Sequence, residues 1–256
     1  MLNVRVMPCL LLQNSRLVKT INFKNPNYVG DPVNAIKIYN EKEVDELIVL
    51  DITATLENRK PPFSEIAEIT SECFMPLTYG GGVNSIEDIR KLMGMGVEKV
   101  AINSYAFENP SFVTQASEVF GSQAVIASID AKKTPSGKYE VFTHSGSKST
   151  GLDPVAWAKK MEKLGAGEVL LTSIDKEGTM EGYDLELIRK VSRAVSIPLI
   201  ACGGAGKIEH FKEAVDAGAS AVAAGSMAVY MSNNRAVLIN FPTPRELKKV
   251  LGDKRF

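Results

Sequence analysis

The chain has no excess of either charge: 30 lysines and arginines face 30 aspartates and glutamates across its 256 residues. No global field therefore draws in nucleic acid or an anionic membrane surface, and neither is expected as a partner. No apolar run approaches the roughly eighteen residues that a membrane-crossing helix needs. The opening MLNVRVMPCLLL carries an arginine inside its short apolar stretch and lacks a small-residue cleavage site, so the expected location is cytoplasmic. Cysteines are few. Cys9, Cys73 and Cys202 stand far apart in strand-like or helix-like runs, which argues against a disulfide framework or a zinc site and for reduced core residues. His144 and His210 are the only histidines, and no HExxH, CxxC or Walker pattern occurs, so neither a metal nor a nucleotide cofactor is expected.

What the chain does have is apolar material, 45% of its residues, enough for a sizeable core. Much of it lies in short β-branched runs over 4–12, 46–52, 75–79, 98–103, 124–130, 168–173, 197–202 and 220–225. Helix-like stretches follow over 32–43, 62–72, 85–95, 109–120, 154–164, 184–195, 207–217 and 243–251. Eight alternations of nearly continuous hydrophobic strands with amphipathic helices predict a parallel sheet closed into a (β/α)8 barrel, one domain over 1–256. An open doubly wound sheet is the structural alternative. Two longer connections, Gln13 to Gly30 and Ala131 to Gly151, leave the first and fifth strands at their C-terminal ends, where barrel enzymes keep their chemistry. The second contains a hairpin signal.

An internal repeat divides the barrel into two similar halves. The stretch from Pro76 to Glu87 aligns without gaps on Pro198 to Glu209, an offset of 122 residues that also carries Glu46 onto Glu168 and Ser104 onto Ser226. In each half a glycine pair follows a strand and precedes a helix: Gly81-Gly82 in one, Gly203-Gly204 in the other. Asn103-Ser104 and Gly225-Ser226 end the next strands, and Gly178 follows the sixth. Exposed backbone N–H groups at such turns attract anions. The doubled pattern predicts two phosphate sites across one mouth, hence a bisphosphorylated small-molecule ligand.

These residues, together with LDITAT at Leu50 to Thr55, SIDAK around Asp130 and the stretch from Gly167 to Thr179, closely resemble the HisF family, the cyclase subunit of imidazole glycerol phosphate synthase. The resemblance spans about residues 1–230. It implies a barrel that receives ammonia from a glutaminase partner and joins it to a bisphosphorylated ribulosyl ribonucleotide in histidine biosynthesis. It also implies two acid-base aspartates, at the ends of the first and fifth strands. The second is Asp130; the first position reads Leu11, and leucine cannot transfer a proton. Lys19 matches a mobile-loop lysine of the family. At the opposite face, Arg5, Glu46, Lys99 and Glu168 match the family's charged ring that gates ammonia, with Glu98 expected at the rim facing the partner.

An ammonia entrance kept beside a lost aspartate resembles divergent HisF-like proteins of surface-polysaccharide and flagellar sugar pathways. The run CLLLQNSRLVKT, Cys9 to Thr20, carries that likeness, and the tail from Met227 to Pro242 also departs from the usual cyclase. The likeness implies work with a glutaminase and a separate ATP-dependent sugar amidotransferase, with the histidine-pathway cyclase as the alternative. Among the remaining candidates, Asp51, Asp175 and Glu177 are expected either to line the mouth or to cap loops. His144 is a possible ligand contact, His210 a partly exposed helical residue and Trp157 a packing group.

Overall fold

The computed structural model describes residues 4–231 and 235–252. The first three residues of the opening run and Ser232, Asn233 and Asn234 of the tail lie outside the described residues. Strand β1 (Arg5–Gln13) leads into an antiparallel hairpin, β2 (Arg16–Ile21) and β3 (Lys24–Gly30). Then α1 (Pro32–Glu41), β4 (Leu47–Asp51), α2 (Phe63–Glu72), β5 (Leu77–Gly80), α3 (Ile86–Gly94) and β6 (Lys99–Ile102) alternate. Helices α4 (Ser104–Glu108) and α5 (Ser111–Phe120) precede β7 (Val125–Lys133), from which a second antiparallel extension, β8 (Tyr139–Thr143) and β9 (Lys148–Ser149), turns back. The rest runs α6 (Pro154–Lys163), β10 (Glu168–Ser173), α7 (Leu185–Ser192), β11 (Leu199–Cys202), α8 (Ile208–Asp216) and β12 (Ala221–Ala224). After the last barrel strand come α9 (Ser226–Val229), the short pair β13 (Tyr230–Met231) and β14 (Ala236–Val237), and α10 (Pro244–Leu251).

The sheet closes on itself. Strands β1, β4, β5, β6, β7, β10, β11 and β12 pair in parallel in that order, and β12 returns to β1 with Arg5 opposite Ala221. This is the (β/α)8 barrel, and the open-sheet alternative is set aside by that last pairing. Closure follows from the side chains. Alternate residues along each strand point outward to pack on the helices, as Val49, Val100, Val125 and Leu171 do, while Met7, Ile48, Ala101, Ile126, Leu170 and Ile200 fill the lumen. Burial on both faces explains why these runs read as continuously apolar in sequence.

The half-barrel repeat extends to the helix starts. Asp31 caps α1 by accepting from Asn34 N, with Pro32 in the first turn, and Asp153 caps α6 by accepting from Ala156 N, with Pro154 in the same place. Thr243 and Glu246 form a reciprocal capping box on α10. The long connection from Gln13 to Gly30 is paired strand: β1 overshoots the barrel and β2 folds back on it, placing Leu11 opposite Val18 as well as Leu50. Among the described residues no helix is long and apolar enough to cross a membrane.

Candidate functional site at the barrel mouth

The C-terminal ends of the barrel strands open into a cavity of about 490 Å3. Lys19, Gly81, Gly82, Asn103, Ser104, Asp130, Gly178, Gly203, Gly204, Gly225 and Ser226, dispersed along the sequence, all line it. Its floor includes Cys9 and Cys202, and Leu11 forms part of its wall. Asp130 leaves the end of β7 directly opposite Thr172 of β10. Burial pushes its carboxyl up to about 7, although hydrogen bonds from Thr172 and Asn103 oppose the shift. Asn103 Nδ2 donates to Asp130 Oδ2 at 2.8 Å, so this asparagine orients the acid through its side chain. A carboxyl with that affinity holds and releases a proton near neutrality, as acid-base work requires.

Lys19 lies on β2 and is buried, with its ammonium paired to Glu177. Glu177 is itself held by Thr20 Oγ1 at 2.9 Å and Phe23 N at 3.1 Å, so the hairpin is fastened to the loop after β10. Burial draws the Lys19 ammonium down to about 8, with the charge of Arg235 acting in the same sense and Cys9 and Cys202 opposing it. A Cβ built on Gly225 would meet Lys19 Cε, which places the lysine stem against the glycine at the end of β12. Asp51 lines the cavity too and at the same time caps its loop: its Oδ1 accepts from Thr53 N and Ala54 N, each at 3.0 Å, and Arg59 pairs with it. Asp175 accepts from Lys133 N at 2.8 Å and lies outside the cavity lining.

The glycine pairs hold left-handed backbone at matching places. Gly82 has φ +71° and Gly204 φ +111°. A Cβ on Gly82 would sit 2.5 Å from the Arg59 carbonyl oxygen, and one on Gly204 would collide with the Gly182 carbonyl. Gly204→Ala is expected to lower stability by about 2 kcal/mol or more, because the strain and the clash fall on backbone that cannot rotate away. Urea unfolding of the variant checks this; an unchanged midpoint would show that the turn relaxes freely.

Two expectations about cysteine and histidine change. Cys9 and Cys202, distant in sequence, meet in the lumen; their hydrogen bond holds the Cys202 thiol below its usual range and, with burial, pushes Cys9 well up. All three cysteines are free, but Cys202 and Cys73 are only half-buried. His210 is buried, its Nδ1 accepting from Gly206 N at 3.1 Å, because α8 turns that face toward the loop after β11. His144 does line the cavity, its backbone N–H donating to Ser104 Oγ at 3.0 Å. Trp157 is buried with its ring edge-on to Phe107.

At the other end of the barrel, Arg5, Glu46, Lys99 and Glu168 form a closed ring. Arg5 reaches Glu46 at 2.7 Å and Glu168 at 2.9 Å, and Lys99 reaches the same two carboxylates at 3.1 and 3.0 Å. Each acid is thus shared by both bases. Above the ring the lumen is apolar up to Cys9. Glu98 is exposed beside it.

Residues 5–233 match the family described as "Histidine biosynthesis protein". The "Imidazole glycerol phosphate synthase subunit HisF" of Endomicrobium trichonymphae is 50% identical over 230 residues, covering 90% of this chain and 88% of that one. The chain belongs to the HisF family. The "Putative imidazole glycerol phosphate synthase subunit hisF2" of Pseudomonas aeruginosa is 46% identical over 248 residues, 96% of this chain and 99% of the relative. A HisF subunit of Sulfurisphaera tokodaii is 49% identical over 221 residues, 86% of this chain and 88% of its own. For a HisF barrel the mouth holds two surprises that sequence reasoning missed: Thr172 and Glu177 as partners of Asp130 and Lys19, and the Cys9–Cys202 contact. Strand alternation puts Thr172 on the inward face, which is the one signal that pointed to it. Nothing in the spacing paired Glu177 with Lys19.

Proposed function

We propose that the chain is the barrel subunit of a glutamine-dependent amidotransferase system. A glutaminase docks over the N-terminal face, ammonia passes the charged ring and the lumen, and the mouth meets a phosphorylated ligand through the Gly81–Gly82 and Gly203–Gly204 turns. Leu11 is the observation that carries the choice of reaction. It stands in the cavity wall at the end of β1, where the HisF resemblance calls for the first of two aspartates, and leaves Asp130 as the single carboxyl of the pair. Ring closure needs both proton transfers, so the proposed product is ammonia delivered onward, to a separate ATP-dependent amidotransferase acting on a surface-polysaccharide or flagellar sugar. The names of the relatives favour a second reading, the cyclase of imidazole glycerol phosphate synthase, in which Asp130 and the Lys19–Glu177 pair handle the protons alone.

Support for the glutaminase side comes from the N-terminal face. A ring that closes an apolar lumen admits a neutral molecule only when it opens, and a protected route spares ammonia from protonation in bulk water. Phe74, in the turn before β5, is 83% exposed on that face, an apolar anchor of the type that subunit contacts bury. Lys99→Met leaves Glu46 and Glu168 to Arg5 alone. In the reconstituted pair it is expected to cut glutamine-dependent product severalfold while ammonium-dependent product persists. Equal loss with both nitrogen sources, or loss with neither, would remove the gate from this account.

A further inference from the structure

The two halves of the mouth look alike in sequence but differ in the charge beside them, and the difference lies in Arg235, which stands outside the cavity lining and is bonded to Gly178 within it. This residue follows β13 and reaches back over the barrel, its Nη2 donating to the Gly178 carbonyl at 2.6 Å and its guanidinium resting 5.7 Å from the Tyr230 ring centroid. Gly178 lines the mouth together with Gly204, Gly225 and Ser226, and Ser226 Oγ lies 3.5 Å from the same Gly178 oxygen. Lys19 approaches this corner from the other side, against Gly225, near enough for its charge to feel that of Arg235. No carboxylate pairs with Arg235 among the described residues.

The other half is built differently. The residue 122 positions before Arg235 is Val113, buried in α5, so the repeat provides no counterpart. The cations beside Gly82 are already neutralised: Arg59 pairs with Asp51 at 3.1 Å, and Lys60 with Asp88 at 2.6 Å. Lys148 lines that side of the cavity, but it is exposed, with its ammonium 3.3 Å from His144 Nε2. A half-buried guanidinium without a counterion keeps more of its attraction for an anion than an exposed or paired cation does, and its planar fork suits phosphate oxygens.

We propose that Arg235 is the anion-reading residue of the Gly178–Gly204–Ser226 corner, making it the tighter of two unequal phosphate sites and fixing which end of a bisphosphorylated ligand lies there. The inference rests on the mouth being a phosphate-binding site at all. The test is titration of inorganic phosphate into the full chain at low ionic strength, followed by calorimetry and 31P line broadening. Two classes of site are expected in the parent. Arg235→Ala should weaken the tighter class about tenfold, bringing it near the weaker one, while Arg235→Lys recovers part of the loss. Ser226→Ala should weaken the same class and Ser104→Ala the other. Should Arg235→Ala shift the melting temperature, Arg235→Gln, which keeps an uncharged donor, decides in its place. A tight class unchanged by both uncharged variants, or both classes weakened alike, overturns the role of Arg235 while leaving the phosphate reading intact. No saturable binding in the parent overturns the phosphate reading itself, and this inference with it.

Discussion

Given the bisphosphorylated ribulosyl substrate and excess ammonium salt, the chain is expected to turn over hundreds-fold or more slowly than a HisF cyclase with both aspartates. A positioned acid or base contributes about 10²–10⁴ in rate, and Leu11 offers none. Leu11 sits in register with Leu50 of β4 and Val18 of β2, two apolar neighbours that supply no substitute proton donor from the adjoining strands. Leu11→Asp should recover part of the missing rate, since the position already lines the cavity with Asp130 and Lys19. Steady-state kinetics with ammonium as the nitrogen source make the comparison without a glutaminase. Turnover equal to that of the two-aspartate enzyme would sink the non-cyclising reading and leave the histidine-pathway cyclase standing.

The second large effect concerns Asp130, where function and stability pull apart. Asp130→Asn should abolish most of whatever acid-base chemistry the mouth performs, a loss of about 10²-fold or more. The same change should stabilise the barrel at high pH. Burial raises the folded-state carboxyl from 3.8 to about 7. Between those two values the unfolded chain ionises while the folded chain keeps its proton, so stability falls as pH rises through that window and levels off above it. Holding a proton across that window costs about 1.4 kcal/mol for each pH unit, so the penalty above pH 7 is on the order of a few kcal/mol. Asparagine carries no such penalty and retains an oxygen to accept from Asn103. Urea unfolding at pH 4 and pH 8 should therefore show the variant's advantage growing with pH. An advantage that is flat across that range would mean that the Asp130 carboxyl ionises as freely in the barrel as in the unfolded chain.

Much of the barrel was legible in the chain because its determinants are local or periodic. Apolar runs buried on both faces, amphipathic helices between them and the 122-residue offset each leave a pattern along one dimension. The offset also grouped Gly82 with Gly204 and Ser104 with Ser226, and these residues do converge on one cavity. The N-terminal ring was legible through the HisF resemblance, which matched Arg5, Glu46, Lys99 and Glu168, each at the start of a strand run, to the family's charged positions.

What the pattern did not contain was any pairing between segments unrelated by the repeat. The hairpin β2–β3 read only as a long connection because its outer strand is polar from Lys24 to Tyr28 and makes its strand bonds only to a neighbour supplied by folding. The Lys19–Glu177 pair joins residues 158 positions apart, and Cys9 meets Cys202 only because closure carries β11 within reach of β1. Sequence alone thus determined the eight barrel strands, the main helices between them and the twofold repeat, and the HisF resemblance marked Leu11 as standing where an aspartate is expected. The tertiary structure decided how Asp130 is tuned, what holds Lys19 and where Arg235 stands. These depend on burial and on the distance between charges, quantities that exist only once the chain has closed into a barrel.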